Sequence, residues 1–333
     1  PATGQLPVSA IYAASVWIGG TDRAGNIKLS AVTYRSEGYD YTAGPLDVNG
    51  TTDKEYCDDW DKIFSVKGIN ISSHIKAWQK AQSSGGFDCS KIPDDVKFWP
   101  AQGNPYFASK YGFELPEQSL AAFWDFNGDG RYNPCEGDYP ILDDRSCDAA
   151  YHEGLKIPAE INYFVFNDAG RAHTLSGPSQ MQMEVQVNAF AYESGDELND
   201  MTFYQYKLIN KAPEDLVDCY FSFWIDPDLG CYQDDFIGYD PITDMAYVYN
   251  QDEADGVNGT ACEGVNSYGY DIPIIGFSYI RGPLGSKVFK RDQNGNLIYD
   301  IEGNKILIDP TPGSGSQDTL VELGISSFTY MEN

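Results

Sequence analysis

The sequence predicts a mainly β chain built from one or more antiparallel β-sandwiches, with long loops and one or two short helices. Three observations predict it. First, 24 Tyr, 17 Phe and 6 Trp are interleaved with 33 Gly and recurrent Asn-Gly steps, a composition of strands broken by tight turns. Second, "MQMEVQVNAFAY" places Met181, Met183, Val185, Val187, Ala189 and Ala191 in alternation with Gln182, Glu184, Gln186 and Asn188. That is the period of a strand with one face in the core and the other in water. Third, "MTFYQYKLIN" (201–210), "DCYFSFWID" (218–226), "MAYVYN" (245–250) and "PIIGFSYI" (273–280) follow at short spacing, a succession that suits a sandwich.

The elements follow in chain order. "SVWIGG" and "NIKLSAVTYR" form a hairpin through "TDRAGN". From Gly50 to Pro158 the chain is richer in loops, acids and cysteines, and one helix is expected there. Ser72 or Ser73 caps it, "HIKAWQKAQ" sets Ile75 and Trp78 on one face, and it ends before Gly85-Gly86. A boundary is expected near Ala150. It divides a β-rich part with a cysteine-containing insertion (1–150) from a sandwich part (151–333), and the two are compatible with one continuous unit. "KVFKRDQNGNLIYDIEGNKILI" repeats the hairpin device, "TPGSGSQ" (311–317) is linker-like, and "GISSFTYMEN" reads as one more strand.

"DFNGDGRYNPCEGDY" carries the sharpest chemistry. Counted from Asp125, oxygen-bearing side chains fall at positions 1 (Asp125), 3 (Asn127), 5 (Asp129) and 12 (Glu136), with Gly130 at 6 and the Arg131 carbonyl available at 7. This is the spacing of a calcium loop, because alternate side chains of a tightly wound loop converge on one point and glycine permits the turn. Pro134, Gly137 and Pro140 exclude the exit helix of an EF-hand, so a solitary calcium-stabilised loop is expected. The kink at Pro134 makes Asp138 a competitor of Glu136 for the closing position. A second acidic segment, "DPDLGCYQDDFIGYD", gathers Asp226, Asp228, Asp234, Asp235 and Asp240, whose mutual repulsion a cation would relieve. "NQDEAD" (250–255) reads as a solvated turn beside it.

Charge narrows the function classes. With 22 Lys+Arg against 50 Asp+Glu the formal net charge is −28, which repels nucleic acid and anionic lipid. No stretch approaches the length of an apolar membrane span, and the opening "PATGQLPVSA" has the look of a processed or excerpted polypeptide. Cys57, Cys89, Cys135, Cys147, Cys219, Cys231 and Cys262 lack the paired spacing of zinc ligands, so disulfides and an oxidising compartment are expected. The expected pairs are Cys135–Cys147, which would staple the calcium loop, and Cys57–Cys89.

Catalysis finds little support. His74, His152 and His173 lie far apart and outside any zinc-protease motif, and there is no nucleophile elbow or glycine-rich phosphate cradle. Among 50 acids no single carboxylate pair is informative for glycoside hydrolysis. Trp60, Trp78 and Trp99 are candidates for stacking on sugar rings, against the commoner fate of aromatics in a core. Sequons occur at Asn49, Asn70 and Asn258.

A family resemblance adds to this. "YAASVWIGGTDRAGNIKLSAVTYR" with "GPLD" (44–47), "DFNGDGRYNPCEGDYP", "VFND" (165–168) with "GRAHT", "NDMTFYQYKLIN" and "FWIDPDLGCYQDDFIGYD" together resemble the N-terminal part of large Bacteroidetes cell-surface proteins secreted by the type IX system, including gliding and adhesin-like cargo. The resemblance implies an extracellular, surface-attached region of a longer chain, with no enzymatic role to carry over. The expected function is structural or adhesive, rigidified by calcium and disulfides, and the alternative is a carbohydrate-binding module of a polysaccharide-active protein. Expected partners are other domains of the same chain, cell-surface or secretion-system proteins and further copies of itself. Nucleic acid and direct membrane insertion are not expected.

Overall fold

A computed structural model describes residues 8–142, 157–260, 262, 266–282 and 284–289, with shorter pieces at 292, 296, 298, 307–308, 319–322 and 325–330. The protein is mainly β, with several antiparallel sheets. Along the chain the elements are β1 (Ala13–Asp22), β2 (Ile27–Ala31), β3 (Thr42–Ala43), α1 (Lys54–Trp60), β4 (Phe64–Lys67), α2 (Gly68–Ser84), α3 (Asp94–Lys97), α4 (Phe107–Tyr111), β5 (Phe123–Trp124) and β6 (Tyr139–Pro140). They continue with β7 (Glu160–Asn167), β8 (Met183–Ala191), β9 (Thr202–Asn210), β10 (Leu216–Asp226), β11 (Asp235–Asp240), β12 (Met245–Asn250), β13 (Ile275–Ser278), β14 (Leu284–Phe289), β15 (Leu307–Ile308) and β16 (Thr319–Glu322).

Two compact units divide the chain: an inner one, Ile18–Cys219, and an outer one, Pro1–Trp17 with Tyr220–Asn333. The division is not at Ala150. β7, which follows Ala150, pairs along one edge with β4 (Phe64↔Tyr163, Val66↔Ile161) and β3 (Thr42↔Asn167), which precede it. Splitting the chain at Ala150 would break those ladders.

In the inner unit β7 also pairs with β8, and β8 with β9. Ile161, Tyr163 and Val165 share a face with Phe64 and Val66, and the helices lay Trp60, Ile71, Val96, Trp99 and Phe107 on it as one buried cluster. Edge-on and tilted ring contacts fill it, among them Trp60–Phe64 at 5.7 Å and Phe64–Phe107 at 5.7 Å. The helical content exceeds the expectation of one or two short helices. The expected helix itself is α2, which opens four residues before Ser72, at Gly68 behind Lys67, and ends at Gly85 as read. Ser72 caps nothing because the helix packs from its first turn. Backbone of Pro158 lies 2.0 Å from where a Cβ on Gly68 would stand, and only glycine fits.

The strand in "MQMEVQVNAFAY" is present, but its polar face is not wetted. Glu184, Gln186 and Asn188 are 0%, 3% and 7% exposed. They continue the row of Tyr163 and Val165 (Tyr163↔Asn188, Val165↔Gln186), so they lie beneath the helical layer. Glu184 is supplied with partners, accepting from Leu46 N at 2.9 Å, Gln118 Nε2 at 3.1 Å and Gln186 Nε2 at 2.7 Å, with Lys211 Nζ at 3.9 Å, whereas Asn188 donates to Gln205 Oε1 at 3.1 Å and its Oδ1 meets no donor.

β10, β1 and β2 form a three-stranded sheet, with the expected "TDRAGN" turn between β1 and β2. In the outer unit β11, β12 and β13 form one antiparallel sheet and β15, β14 and β16 another. Asn294-Gly295 and "TPGSGSQ" lie outside the described residues. Residues 325–330 form no strand; Phe328 stacks on Tyr239 instead, at 4.6 Å. Among the described residues no helix is long and apolar enough to cross a membrane.

Candidate metal centres

The Asp125 loop hangs from a two-residue ladder, β5 with β6 (Phe123↔Pro140, Trp124↔Tyr139), instead of the two helices of an EF-hand. Where an exit helix would start there is a single 3-10 turn, Pro134–Glu136, capped by Asn133 and ended by Gly137. The loop is nonetheless tightly wound. Asp125 accepts from Gly128 N at 2.7 Å through Oδ1 and from Gly130 N at 2.7 Å through Oδ2, and Asp129 accepts from Arg131 N at 2.8 Å. Asn127 stands between Asp129 and Glu136, its amide 2.9 and 2.8 Å from their carboxylates, so positions 3, 5 and 12 meet. Arg131 leaves its backbone at position 7 while its guanidinium pairs with Glu117 at 3.1 and 3.2 Å.

Asp138 does not compete with Glu136. It is fully buried, and its two oxygens accept from Phe126 N at 2.8 Å and Asn133 N at 2.7 Å, bracing the loop from beneath. Burial pushes its carboxyl up to about 6, with the Asp125 and Asp129 charges adding to the effect. Helix α2 holds the same segment. His74 Nε2 donates to the Asp138 carbonyl at 3.0 Å, and Trp78 packs edge-on against Phe126 at 5.6 Å.

A disulfide does staple this loop, but the pairing is Cys89–Cys135, with Cα atoms 5.4 Å apart. Both expected pairs are therefore wrong. The turn after α2 delivers Cys89 to the loop, whereas Cys57 is buried on α1 with Thr52 Oγ1 3.6 Å from its sulfur. Cys231 pairs with Cys262, Cys219 is an exposed free thiol, and Cys147 lies outside the described residues. Two disulfides suit an oxidising compartment.

The second acidic segment splits. Asp234 and Asp255 bring carboxylate oxygens within 4.8 Å of each other, beside the Cys231 sulfur, which the disulfide removes as a thiolate ligand. Asp235 faces Asn250 across the β11–β12 ladder. Asp234 Oδ1, Asp235 Oδ1 and Asn250 Oδ1 are all buried without a hydrogen-bond partner. Burial pushes the Asp235 carboxyl up to about 6, helped by the Asp234, Asp255 and Asp228 charges. Asp228 is also raised, by burial and by Asp226. Asp240 does not join: it stands five residues along β11 from Asp235, roughly 16 Å at strand rise, and closes a turn by accepting from Ile242 N and Thr243 Oγ1. Asp226 ends β10 with its carbonyl on Tyr12 N.

Asp255, inside the stretch read as a solvated turn, is fully buried. It accepts from Cys231 N at 2.8 Å and from Tyr268 N, and its carboxylate fills the place of a Cβ on Gly230 (φ +75°). Nothing in "NQDEAD" marks it, since the signal lies in contacts with Gly230 and Tyr268 far along the chain. With the Cys231 sulfur taken into the disulfide, Asp234 and Asp255 leave a pair of oxygen ligands, a type that suits a hard cation better than zinc.

Of the histidines, His173 spans the carbonyls of Leu29 and Asp168 at 2.9 and 2.8 Å, and His152 lies outside the described residues. Trp60 and Trp99 are buried in the core and are not sugar platforms. The chain matches no protein-family model, no curated protein and no solved structure.

Proposed function

We propose that this chain is a non-enzymatic structural or adhesive region of a large secreted cell-surface protein of the Bacteroidetes type IX kind, rigidified by calcium. The observation that carries the reading is the trio of buried, unpartnered oxygens on Asp234, Asp235 and Asn250 beside the buried Asp255. Such oxygens carry a desolvation penalty that protein donors do not relieve, and a hard cation relieves it. The wound Asp125 loop, closed by Cys89–Cys135, supports a second ion at Asp125, Asn127, Asp129, the Arg131 carbonyl and Glu136. Calcium would neutralise clustered carboxylates and bind the folded state alone, so it raises stability by mass action. The ordered sequence segments support the cell-surface assignment, and the disulfides suit it.

The test is the metal content of the native protein by mass spectrometry, paired with melting in millimolar calcium and in chelator. Stoichiometric calcium and a large rise in melting temperature are expected. Metal-free protein whose melting ignores chelation overturns the reading.

A further inference from the structure

Cys231, Asp234, Asp255 and Cys262 carry a second chemistry that the disulfide conceals. Cys231 opens the 3-10 turn Tyr232–Asp234, three residues before Asp234, so one turn of chain delivers both side chains to one place. Asp255 comes from farther along the chain and is held there by accepting from Cys231 N at 2.8 Å. One oxygen from each carboxylate and the Cys231 sulfur all lie within 4.8 Å of one another. The Cys262 sulfur, bonded to that of Cys231 from 31 residues away, belongs to the same group. Cys231, Cys262 and Asp255 are buried. Gly256 N fixes Asp234 Oδ2 at 2.9 Å and leaves Oδ1 buried without a donor. Among the described residues no other three cysteine, histidine or acidic side chains gather in this way.

While the bridge is closed its sulfurs are engaged with each other, and the carboxylates suit a hard cation. Opened, it yields two thiols, and thiolate ligands select zinc over calcium. Two sulfurs and two carboxylate oxygens make the four donors of a closed zinc site. Donors around one tetrahedral zinc stand roughly 3.5 Å apart. A set already gathered within 4.8 Å therefore needs a contraction of about 1 Å across its widest pair. We propose that in the reduced chain Cys231, Cys262, Asp234 and Asp255 form a zinc site that disulfide formation dismantles. Every chain is made with thiols and gains disulfides only in an oxidising compartment, so zinc holds this part of the outer unit until the bridge replaces it. On binding zinc, the two thiols pass their protons to water. On oxidation by a small-molecule disulfide, the two zinc-bound sulfurs give up two electrons and join as Cys231–Cys262, the oxidant is cleaved to two thiolates, and the ion departs. This site does not rest on the calcium reading, which concerns the oxidised chain.

Cobalt is the probe, because it occupies zinc sites and reports thiolate ligation as a near-ultraviolet charge-transfer band. The whole chain, reduced with a phosphine, is titrated with Co2+. One cobalt per chain with that band is expected, zinc should displace it, and the oxidised chain should show no band. Cys262→Ser should halve the band, and Asp234→Asn, which keeps an acceptor for Gly256 N, should weaken cobalt binding at least tenfold. Cys219→Ser, at the exposed thiol off the site, leaves both unchanged. Zinc should also slow closure of the bridge by oxidised glutathione at least tenfold and be released one ion per bridge formed. If Cys262→Ser melts early, Asp234→Asn decides in its place. Absence of the band, or a band indifferent to Cys262→Ser, overturns the proposal. So does binding indifferent to Asp234→Asn, which would place the metal on thiols of an unfolded chain. Calcium in the oxidised chain without zinc in the reduced one sinks this site alone, and the converse sinks only the calcium reading.

Discussion

His74 shows how a single buried group couples this fold to pH. Its ring is 1% exposed, Nε2 donates to the Asp138 carbonyl, and Nδ1 meets no partner. Burial holds its pKa below the ordinary imidazole value, against the smaller opposing effect of the carbonyl bond. The unfolded chain takes up a proton below about 6.5 and the folded ring resists, so its contribution is complete above that pH and is lost as pH falls beneath it. Asp138 pulls the other way, because its raised pKa of about 6 makes its contribution decline as pH rises from about 4 to 6. The diagnostic is thus a difference. His74→Gln should melt with a shallower loss between pH 7 and 5 than the parent, and identical slopes would show that His74 is not the coupled group. Glu184 makes a second residue-scale prediction. Glu184→Leu strands Leu46 N–H and the amides of Gln118 and Gln186 in the core and should cost about 3 kcal/mol in denaturant unfolding. A cost below about 1 kcal/mol would mean that water reaches the row.

At the scale of elements, one five-residue turn recurs with two outcomes. In "DRAGN" (22–26) and "DVNGT" (47–51) the fifth residue donates both its N–H and its side chain to the first aspartate, at 2.9 and 2.8 Å and at 2.8 and 2.9 Å, and Asn296 makes the same two bonds to Asp292, at 2.9 and 3.1 Å. Each turn is satisfied from within. In "DFNGD" (125–129) the fifth residue is Asp129, which has no side-chain donor, and the loop winds on to Gly130 and Glu136. Asp129→Asn should therefore close the loop on itself: melting in chelator rises by an amount worth about 1 kcal/mol, and most of the calcium-induced shift at this loop disappears. An undiminished calcium shift would place the ion elsewhere. The same comparison shows what was legible. Spacing within fifteen residues revealed the loop, period-2 alternation located β8, and the succession of aromatic runs at short spacing located β12. Alternation cannot distinguish water from a buried polar row, however, so Glu184, Gln186 and Asn188 were misjudged. Pairings set by distant contacts, Cys89 with Cys135 and Asp255 with Gly230, leave no local trace.

Over the whole molecule, the two units differ in what stabilises them. The inner unit buries a contiguous aromatic and aliphatic cluster around Trp60, Trp99 and Phe107, with its charged groups supplied with donors. The outer unit buries carboxylate oxygens of Asp234 and Asp235 that no protein donor meets. Its buried Leu229 and Cys231 give their N–H groups to Asp235 and Asp255, so a cation that relieved the repulsion there, as proposed, would act directly on that core. Local stability follows such differences, and segments with few buried apolar contacts open at lower free energy. Chelation should accordingly loosen the outer unit first. Limited proteolysis in chelator is expected to cut within residues 220–333 at least tenfold faster than in calcium, while a fragment close to Ile18–Cys219 persists. Adding reductant should extend cleavage to the Asp125 loop, because Cys89–Cys135 is the covalent brace that remains there once the ion is gone. Equal cleavage rates with and without calcium would remove the cation from the account of the outer unit, and early cleavage within the inner unit would show that its core, too, depends on the metal.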